Sequence, residues 1–480
     1  MLKRTRSFLV LVMLLMTVTM SAQVTTATMS GKVTAQDEPI IGATIVAIHE
    51  PSGTRYGTVT NVSGQFNLQG MRTGGPYKVE ISYVGYQTAI YKGINLLLGE
   101  NYVLNVSLKE SSELLDEVVV TASKESNMKS DRAGAIMNAN RDMISNTPTI
   151  SRSISDIMRL SPQGADVGNG FAVGGGNYRQ SFVTVDGAAF NNTFGLGGNL
   201  PANGSPISLD ALEQVTVAVT PFDVRQSGFT GGAINAVTRS GDNQFRGTAY
   251  MYFNNENLKG SKVDDYELLR SKAQYYTYGA SFGGPIIKDK LFFFVNGEYE
   301  DNVTAGSNYR PRTALGESYS GGNIHRPLQS DMDDMRGFLL NKYNFDPGKY
   351  NDYSTDTPAY RVMARVDWNA NQNNKVSFRF TKTHTKDSNF PTSSVSPLST
   401  SALYPGGTST EVIDGKPVGT IAPGQGRTSK YALSFSNSNY YQVRDFTSVA
   451  GEWNSRMAQG AMNNMLRFAY SYQDEPRSFD

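Results

Sequence analysis

The sequence predicts a mostly β protein with three parts: an N-terminal β-sandwich, a small α+β domain, and the first part of a large antiparallel transmembrane β-barrel. Three observations predict this fold class. Short strands alternate with turns before residue 110, glycine-rich segments mix helix and strand patterns up to residue 240, and long strands with strict apolar–polar alternation follow. Tyr (26), Phe (23) and Gly (47) are plentiful among the 480 residues, which suits strands, tight turns and aromatic belts.

Composition excludes several classes of protein. The 44 basic and 43 acidic residues nearly cancel, so neither a basic surface for nucleic acid nor a strongly acidic disordered chain is indicated. Cysteine is absent, which excludes disulfides, thiolate zinc sites, thiol catalysis and a lipoprotein anchor.

Residues 1–22 are predicted to be an export signal. Lys3, Arg4 and Arg6 precede the uninterrupted apolar run 8–16, and cleavage is expected after Ala22. The apolar run is shorter than the about 20 residues that a membrane-spanning helix needs. No later segment approaches that length, so the exported protein is expected either to be soluble outside the cytoplasm or to cross a membrane as a β-barrel.

Residues 23–110 are predicted to form a small β-sandwich of about seven short strands. The predicted strands are residues 28–33, 44–48, 57–60, 64–68, 77–83 and 102–108. The phrases Gly-Lys-Val at 31–33, Pro-Ile-Ile-Gly-Ala-Thr at 39–44, Asn-Val-Ser-Gly-Gln-Phe at 61–66 and Tyr-Val-Gly-Tyr at 83–86 resemble the carboxypeptidase regulatory-like domain. That resemblance does not imply peptidase activity, because a zinc carboxypeptidase needs a His-x-x-Glu pair and His49 is followed by Ser52.

Residues 115–122, Leu-Asp-Glu-Val-Val-Val-Thr-Ala, predict a strand without a hairpin partner. Three valines and a threonine favour extended backbone, and no turn signal lies nearby. Such a strand is either buried in a neighbouring sheet or kept for another protein to pair with. The heptad resembles the TonB box of Bacteroidetes-type TonB-dependent outer-membrane receptors, a resemblance that makes its members the TonB-binding residues: Asp116, Glu117, Val118, Val119, Val120, Thr121 and Ala122.

The first half of residues 123–240 mixes flexible and compact patterns. Residues 123–140 are polar and small, which predicts a flexible connector. Ile154, Ile157 and Met158 recur at helical spacing and Pro162 ends the pattern, so one short helix is expected. The glycine-rich run 164–176 is interpreted as tight turns rather than a phosphate-binding loop, because no strand precedes it and no Gly-Lys-Ser/Thr ends it.

The second half predicts a strand at 181–185 that ends at Asp186-Gly187, a helical turn capped by Asp210 with Glu213, and an alternating strand from Val215 to Val219. Together with Gly-Gly-Ala-Ile-Asn-Ala-Val-Thr at 231–238, these segments resemble the plug domain of the same receptors. The plug domain is expected to span residues 123–240.

Residues 241–480 are predicted to be part of a barrel with about eight strands of about nine to eleven residues. In each strand one face is apolar and the other polar; the predicted outward residues are Phe245, Met251, Phe253, Phe293, Val295, Tyr299, Tyr360, Val362, Val366, Trp368, Leu466, Phe468, Tyr470 and Tyr472. The connections 283–290 and 369–374 are short, whereas 301–357 and 387–427 are long and polar, an asymmetry typical of outer-membrane barrels.

No metal or cofactor is predicted. Asp331, Asp333 and Asp334 are candidate cation ligands, but they lack the spacing of a calcium loop and are interpreted as a solvated acidic turn. His325 and His384 are expected in surface or lumen positions. An eight-stranded barrel cannot enclose a plug, whereas barrels of about 22 strands do, so the sequence is expected to be C-terminally truncated.

The resemblance implies energised import of a large solute (a glycan, a peptide or a siderophore-type iron chelate) across the outer membrane of a Gram-negative bacterium, with TonB as partner. The resemblance also allows a surface lipoprotein that covers the barrel as a partner, and outer-membrane lipid is expected around the barrel. The alternative is a structural or adhesive outer-membrane protein of the same architecture. A secreted glycan-active enzyme is disfavoured, because no paired carboxylates or nucleophile with its base are visible in the sequence.

Overall fold

The structure of the protein is a computed structural model. It describes residues 24–110, 118–121 and 136–479, except for residues 150–151, 168–169, 193–197, 220–227, 259, 261, 264–265, 268–271, 308, 320–322, 390–411, 414–415, 418–432 and 458–461. The predicted export signal, residues 123–135 of the predicted connector, and Asp116, Glu117 and Ala122 of the heptad lie outside the described residues.

The N-terminal strands form two facing sheets, in agreement with the predicted β-sandwich. The strands are β1 (Ala27–Ala35), β2 (Glu38–Pro39), β3 (Thr44–His49), β4 (Thr54–Val59), β5 (Gln65–Met71), β6 (Gly74–Ser82), β7 (Ala89–Leu96), β8 (Asn101–Val103), β9 (Val106–Ser107) and β10 (Val118–Thr121). One sheet has the order β2-β1-β5, with β8 and β9 also on β1, and the other has the order β10-β7-β6-β3-β4. Alternate residues of both sheets, such as Met29, Ile45 and Val79, share one buried core. We call this unit the sandwich; strand β7 was missing from the predicted strands.

A third sheet, with parallel and antiparallel strands, forms from residues 136–238, and we call it the plug sheet. Its order is β11-β16-β17-β14-β15, with β14 and β17 parallel. The elements of this region are β11 (Ile136–Ala139), α1 (Arg141–Asn146), α2 (Ile154–Met158), β12 (Gly164–Asp166), β13 (Phe171–Val173), β14 (Phe182–Val185), β15 (Ala188–Ala189), β16 (Leu212–Ala218) and β17 (Ala233–Thr238). The predicted short helix is confirmed as α2, and the predicted turn at Asp186-Gly187 joins β14 to β15.

Two local predictions in this region are wrong. The end of the predicted flexible connector is strand β11, because four residues find a partner along the edge of β16 that local sequence cannot reveal. The predicted helical turn exists at Leu209–Ala211, but its cap is Ser208, whose hydroxyl accepts from the backbone N–H of Asp210. The Asp210 carboxylate is instead held by arginines.

The remaining long strands form one antiparallel sheet, which we call the wall. Its order is β18 (Arg246–Asn255), β21 (Ala273–Ile287), β22 (Leu291–Ala305), β25 (Ser354–Asn369), β26 (Asn374–Asn389), β29 (Tyr440–Met457) and β30 (Met462–Asp474), with the short β31 (Arg477–Ser478) also on β29. Among the described residues this sheet thus has eight strands, seven of them long, in agreement with the predicted number of about eight. Strand β18 has 10 residues, as predicted, whereas the other long strands have 13 to 18. About ten residues cross an apolar band of about 25 Å, so the longer strands continue beyond it.

Connections at the two ends of the wall differ in length, as predicted. Residues 288–290 and 370–373 form short turns, whereas residues 306–353 contain β23 (Arg310–Arg312), β24 (Ile324–Leu328) and helix α3 (Gln329–Tyr343). Two further short hairpins are β19 (Lys262–Val263) with β20 (Tyr266–Glu267), and β27 (Val412–Ile413) with β28 (Lys416–Pro417). No helix among the described residues has the length and apolar character needed to cross a membrane.

The predicted acidic turn is wrong, because Asp331, Asp333 and Asp334 lie in helix α3. Asp333 accepts a hydrogen bond from the Tyr350 hydroxyl at 2.7 Å, so it has a structural partner in the same connection.

Gly187 offers a test of the β14–β15 turn. Its φ is +77°, a conformation that costs a residue with a side chain about 1–3 kcal/mol, and an added Cβ would also lie 2.8 Å from Arg467 Nη1. We expect Gly187→Ala to lower the unfolding free energy by about 1–2 kcal/mol, measured as the urea midpoint of the detergent-solubilised protein. Gly297→Ala is the control, since no atom lies within 4 Å of its added Cβ. Equal urea midpoints for the two variants would contradict the expectation that a side chain at position 187 strains the turn.

Candidate functional site

The wall has one apolar and one polar face, as the alternation predicts. Met251, Val362 and Phe468 are 58%, 45% and 64% exposed on one face. On the other face of the same sheet, Asn296, Glu298 and other polar residues are buried. Polar groups avoid burial unless they are hydrogen-bonded. The candidate functional site is therefore the surface on which the polar face meets the plug sheet and its loops.

Arg361 is one of the most buried charged groups of this interface. Its Nη1 lies 3.1 Å from Glu298 Oε1 and 2.8 Å from Glu300 Oε2, both on the neighbouring strand β22. Its Nε donates to the carbonyl oxygen of Ser205, in the loop before β16, at 2.7 Å. A single guanidinium thus joins two wall strands to the plug region, which its planar set of donors makes feasible.

The same loop is held by neutral groups. The Ser208 hydroxyl donates to Glu298 Oε2 at 2.9 Å, and the Tyr250 hydroxyl donates to the same oxygen at 2.5 Å. The Thr383 hydroxyl donates to the carbonyl oxygen of Pro206 at 2.7 Å. Strands β18, β22, β25 and β26 therefore all contribute to holding the loop at residues 205–208.

Asp210 is the centre of a second cluster. Its Oδ1 lies 2.7 Å from Arg141 Nη2, its Oδ2 lies 3.4 Å from Arg239 Nη1, and the Thr248 hydroxyl donates to Oδ2 at 2.9 Å. Burial acts to raise the pKa of Asp210, but hydrogen bonds from Arg141 and Ser281 and the nearby positive charges leave that pKa below its usual range. The ionised carboxylate therefore stabilises the fold above its unfolded pKa, and this contribution is lost as pH falls through the folded pKa.

A third cluster joins the closing strand of the plug sheet to the wall. Arg365 lies 2.9 Å from Asp367 and donates to the carbonyl oxygen of Thr238, at the end of β17, at 2.8 Å. Asp186 lies 3.5 Å from Arg365 and 3.6 Å from Arg379. The predicted Asp-Gly turn thus has a second role, because its carboxylate faces the charged inner surface of the wall.

The sandwich contacts the end of the wall that has the short turns. The backbone N–H of Asn243 donates to the carbonyl oxygen of Pro51 at 2.9 Å, and the Asn369 side-chain amide donates to the Thr54 hydroxyl at 2.9 Å. Asn243 also donates to Asp289, in the turn 288–290, at 2.7 Å. The sandwich therefore lies at the end opposite to the long connections.

The sandwich also contacts the plug sheet directly. Val24, Leu98 and Val237 form a small buried apolar cluster, with Val237 contributed by β17. The Asn138 side-chain amide, on β11, donates to Glu100 at 2.5 Å. Two strands of the plug sheet are thus fixed to the sandwich by side chains.

Four residues of the predicted TonB-binding heptad are described. Val118, Val119, Val120 and Thr121 form β10, which pairs in parallel with Ala89–Lys92 of β7. The described part of the heptad therefore pairs with a strand of the sandwich and not with a hairpin neighbour. Asp116, Glu117 and Ala122 lie outside the described residues, and TonB binding by the heptad stays a prediction.

Other candidate residues do not come together. Among the described residues, no group of three or more His, Asp or Glu side chains could hold a metal ion. His325 is buried and stacks on Tyr309 at 4.0 Å, whereas His384 lies 3.1 Å from Asp445 and stacks on Tyr360 at 4.9 Å. The described residues thus place both histidines in structural contacts.

Two family models match this chain. Residues 28–109 match the carboxypeptidase regulatory-like domain, and residues 237–413 match an outer membrane beta barrel domain. These ranges contain most of the sandwich and the wall strands β18 to β26.

Curated relatives agree with these matches. The TonB-dependent transporter Oar of Myxococcus xanthus is 27% identical over 256 residues, which cover 52% of this chain and 22% of that protein. The TonB-dependent receptor SusC of Bacteroides thetaiotaomicron is 29% identical over 269 residues, which cover 53% of this chain and 24% of that protein. The matched region thus spans about a quarter of each relative's length.

Among solved structures, the outer membrane transporter YddB from Escherichia coli matches with a TM-score of 0.44 and 11% identity, covering 71% of this chain and 38% of that one. The resemblance predicted from the sequence is confirmed by the family models and the curated relatives, as are the mostly β fold class and the outer-membrane location.

Proposed function

We propose that this chain acts in energised uptake, because it is a relative of the TonB-dependent outer-membrane receptors and belongs to the outer membrane. A large solute binds at the end of the wall with the long connections. TonB then binds the heptad Asp116–Ala122 at the opposite end, and force from the inner membrane moves the plug sheet.

The observation that supports this proposal best is the polar interface between wall and plug sheet. Arg361, Asp210 and Arg365 each join the two units through a hydrogen bond, and Arg365 also forms an ion pair with Asp186. Such contacts hold a plug in one position, yet they exchange for water more readily than an apolar core of the same area does. An interface of this kind suits a plug that must be both retained and moved.

Backbone pairing explains how a heptad without a pocket motif is recognised. An extended segment that adds to the edge of a sheet gains affinity from main-chain hydrogen bonds and places little demand on side chains. Three consecutive valines keep the segment extended before binding, which reduces the ordering cost of association.

We further propose the finer features of this receptor. The exposed apolar face of the wall contacts outer-membrane lipid. The solute is a glycan, a peptide or a siderophore-type chelate, a surface lipoprotein closes the outer end during uptake, and the protein is not an enzyme.

The experiment that tests the proposal replaces residues 116–122 by a seven-residue Gly-Ser segment. We expect uptake of the solute to fall to the level of a strain that lacks TonB, while binding of solute to whole cells is unchanged. The same replacement at residues 125–131 is the control and leaves uptake intact. Function that persists without the heptad would overturn the proposal and favour the structural or adhesive alternative.

A further inference from the structure

We propose, resting on the uptake function above, that the sandwich forms part of the binding site for the periplasmic partner. The partner's strand adds to the outer edge of β10 while the inner edge of β10 stays paired with β7. The complex is then one continuous sheet in the order partner, β10, β7, β6, β3, β4. The partner does not displace β10 from the sandwich.

The edge of β7 that pairs with β10 has the same length as β10. Strand β10 pairs with residues 89–92 only. The pairing of β7 with β6 shifts register between Ile94 and Tyr91, so β7 has one extra residue there, and Gly93 has a φ of +78°. A bulge bends a strand and ends regular pairing. The bulge therefore ends the edge at the residue where β10 also ends.

The chain is also anchored close to this edge. Tyr86 and Glu110 form an isolated antiparallel bridge, and the backbone N–H of Gln87 donates to the carbonyl oxygen of Lys109 at 2.9 Å. Residue 110 is thus anchored beside residue 86, three residues before the edge begins at Ala89. Residues 111–117 connect this anchor to the start of β10.

Strand β10 is the terminal strand of its sheet among the described strands. Successive residues of a strand direct their backbone groups to opposite edges, so a strand paired on one side still offers a row of donors and acceptors on the other. An added partner strand keeps every bond between β10 and β7, whereas a displacing partner first breaks them. Addition is therefore favoured over displacement as the mode of binding.

A cross-linking experiment distinguishes addition from displacement. The full chain contains no cysteine, so Tyr91→Cys with Val120→Cys introduces the only two thiols, at positions that are Cα partners. These thiols are joined by a short bis-maleimide in the detergent-solubilised protein. The probe is the purified C-terminal domain of TonB, and its affinity is measured before and after cross-linking.

We expect the cross-linked protein to bind the probe within about fivefold of the uncross-linked protein. The cross-link is also expected to form equally well when the probe is bound first. A larger loss of affinity, or protection of the thiols by the probe, would show displacement and overturn the inference. Failure of the cross-link to form without the probe would overturn it as well, because β10 would then not lie on β7.

The matched control joins the other edge of the same sheet. Thr44→Cys with Val59→Cys lies on β3 and β4, whose residues are also Cα partners, and its cross-link is expected to leave probe binding unchanged. If none of the proteins, cross-linked or not, binds the probe, the proposed function itself fails. That outcome is distinct from loss of binding in the Tyr91–Val120 cross-linked protein alone.

Discussion

Val119→Pro is expected to abolish uptake while the solute still binds to the cell surface. Proline removes one backbone donor from β10 and introduces a ring that disturbs pairing on the strand. The unpaired acceptor and the lost bond together weaken strand addition by about 2 kcal/mol or more, which is roughly thirtyfold in affinity. The measurement is accumulation of labelled solute in cells, compared with surface binding at equal receptor abundance.

Val119→Thr is the control for this variant. Threonine retains the backbone N–H and the preference for extended backbone, so uptake should stay close to that of the unchanged protein. Backbone pairing would be the wrong explanation if threonine impaired uptake as strongly as proline, because the side chain would then be what the partner recognises.

Arg361→Met is expected to weaken the contact between the wall and the loop at residues 205–208 that precedes β16. The substitution leaves Glu298 without its cation although that side chain is only 2% exposed, and removing one member of a buried ion pair typically costs about 3–5 kcal/mol. The loop at residues 205–208 also loses the hydrogen bond to Ser205. We expect faster proteolysis of the plug region in the folded protein and increased entry of large antibiotics into cells.

Two variants check that the expected effect of Arg361→Met comes from the burial of its ion pair. Arg246 also forms an ion pair, with Asp242 at 3.6 Å, but its side chain is 61% exposed, so Arg246→Met should change stability by about 1 kcal/mol or less. The double variant Arg361→Met with Glu298→Gln should recover part of the loss, because the uncompensated carboxylate is removed. Equal proteolysis of the Arg361 and Arg246 variants would contradict the assigned role.

The wall could be predicted from the sequence because alternation reports both faces of a strand directly. Residues such as Val362 and Arg361 differ in position by one and therefore point to opposite faces, and the structure places them so. The sequence also places Glu298 and Arg361 on the polar face. It does not reveal that they form an ion pair, since their strands are separated in the sequence by the long connection 306–353.

Other features required tertiary information. Strand β11 has no period of its own over four residues, and only its pairing with β16 defines it. Helix α3 does carry a signal, because Met332, Met335 and Leu339 recur at helical spacing, but the three nearby aspartates favoured a turn. The partner of β10 was unpredictable because pairing with a parallel edge leaves no local turn signal.

The direct contact between sandwich and plug sheet has a mechanical consequence. Residues 122–135 separate β10 from β11, and a chain of that length spans at most about 50 Å when fully extended. The side chains of Glu100 and Leu98, by contrast, contact β11 and β17 directly. A force applied to the sandwich therefore acts on β11 and β17 at the same time. A force applied to a heptad that is detached from the sandwich reaches the plug sheet only after residues 122–135 are extended, and it then acts on the edge strand β11 alone.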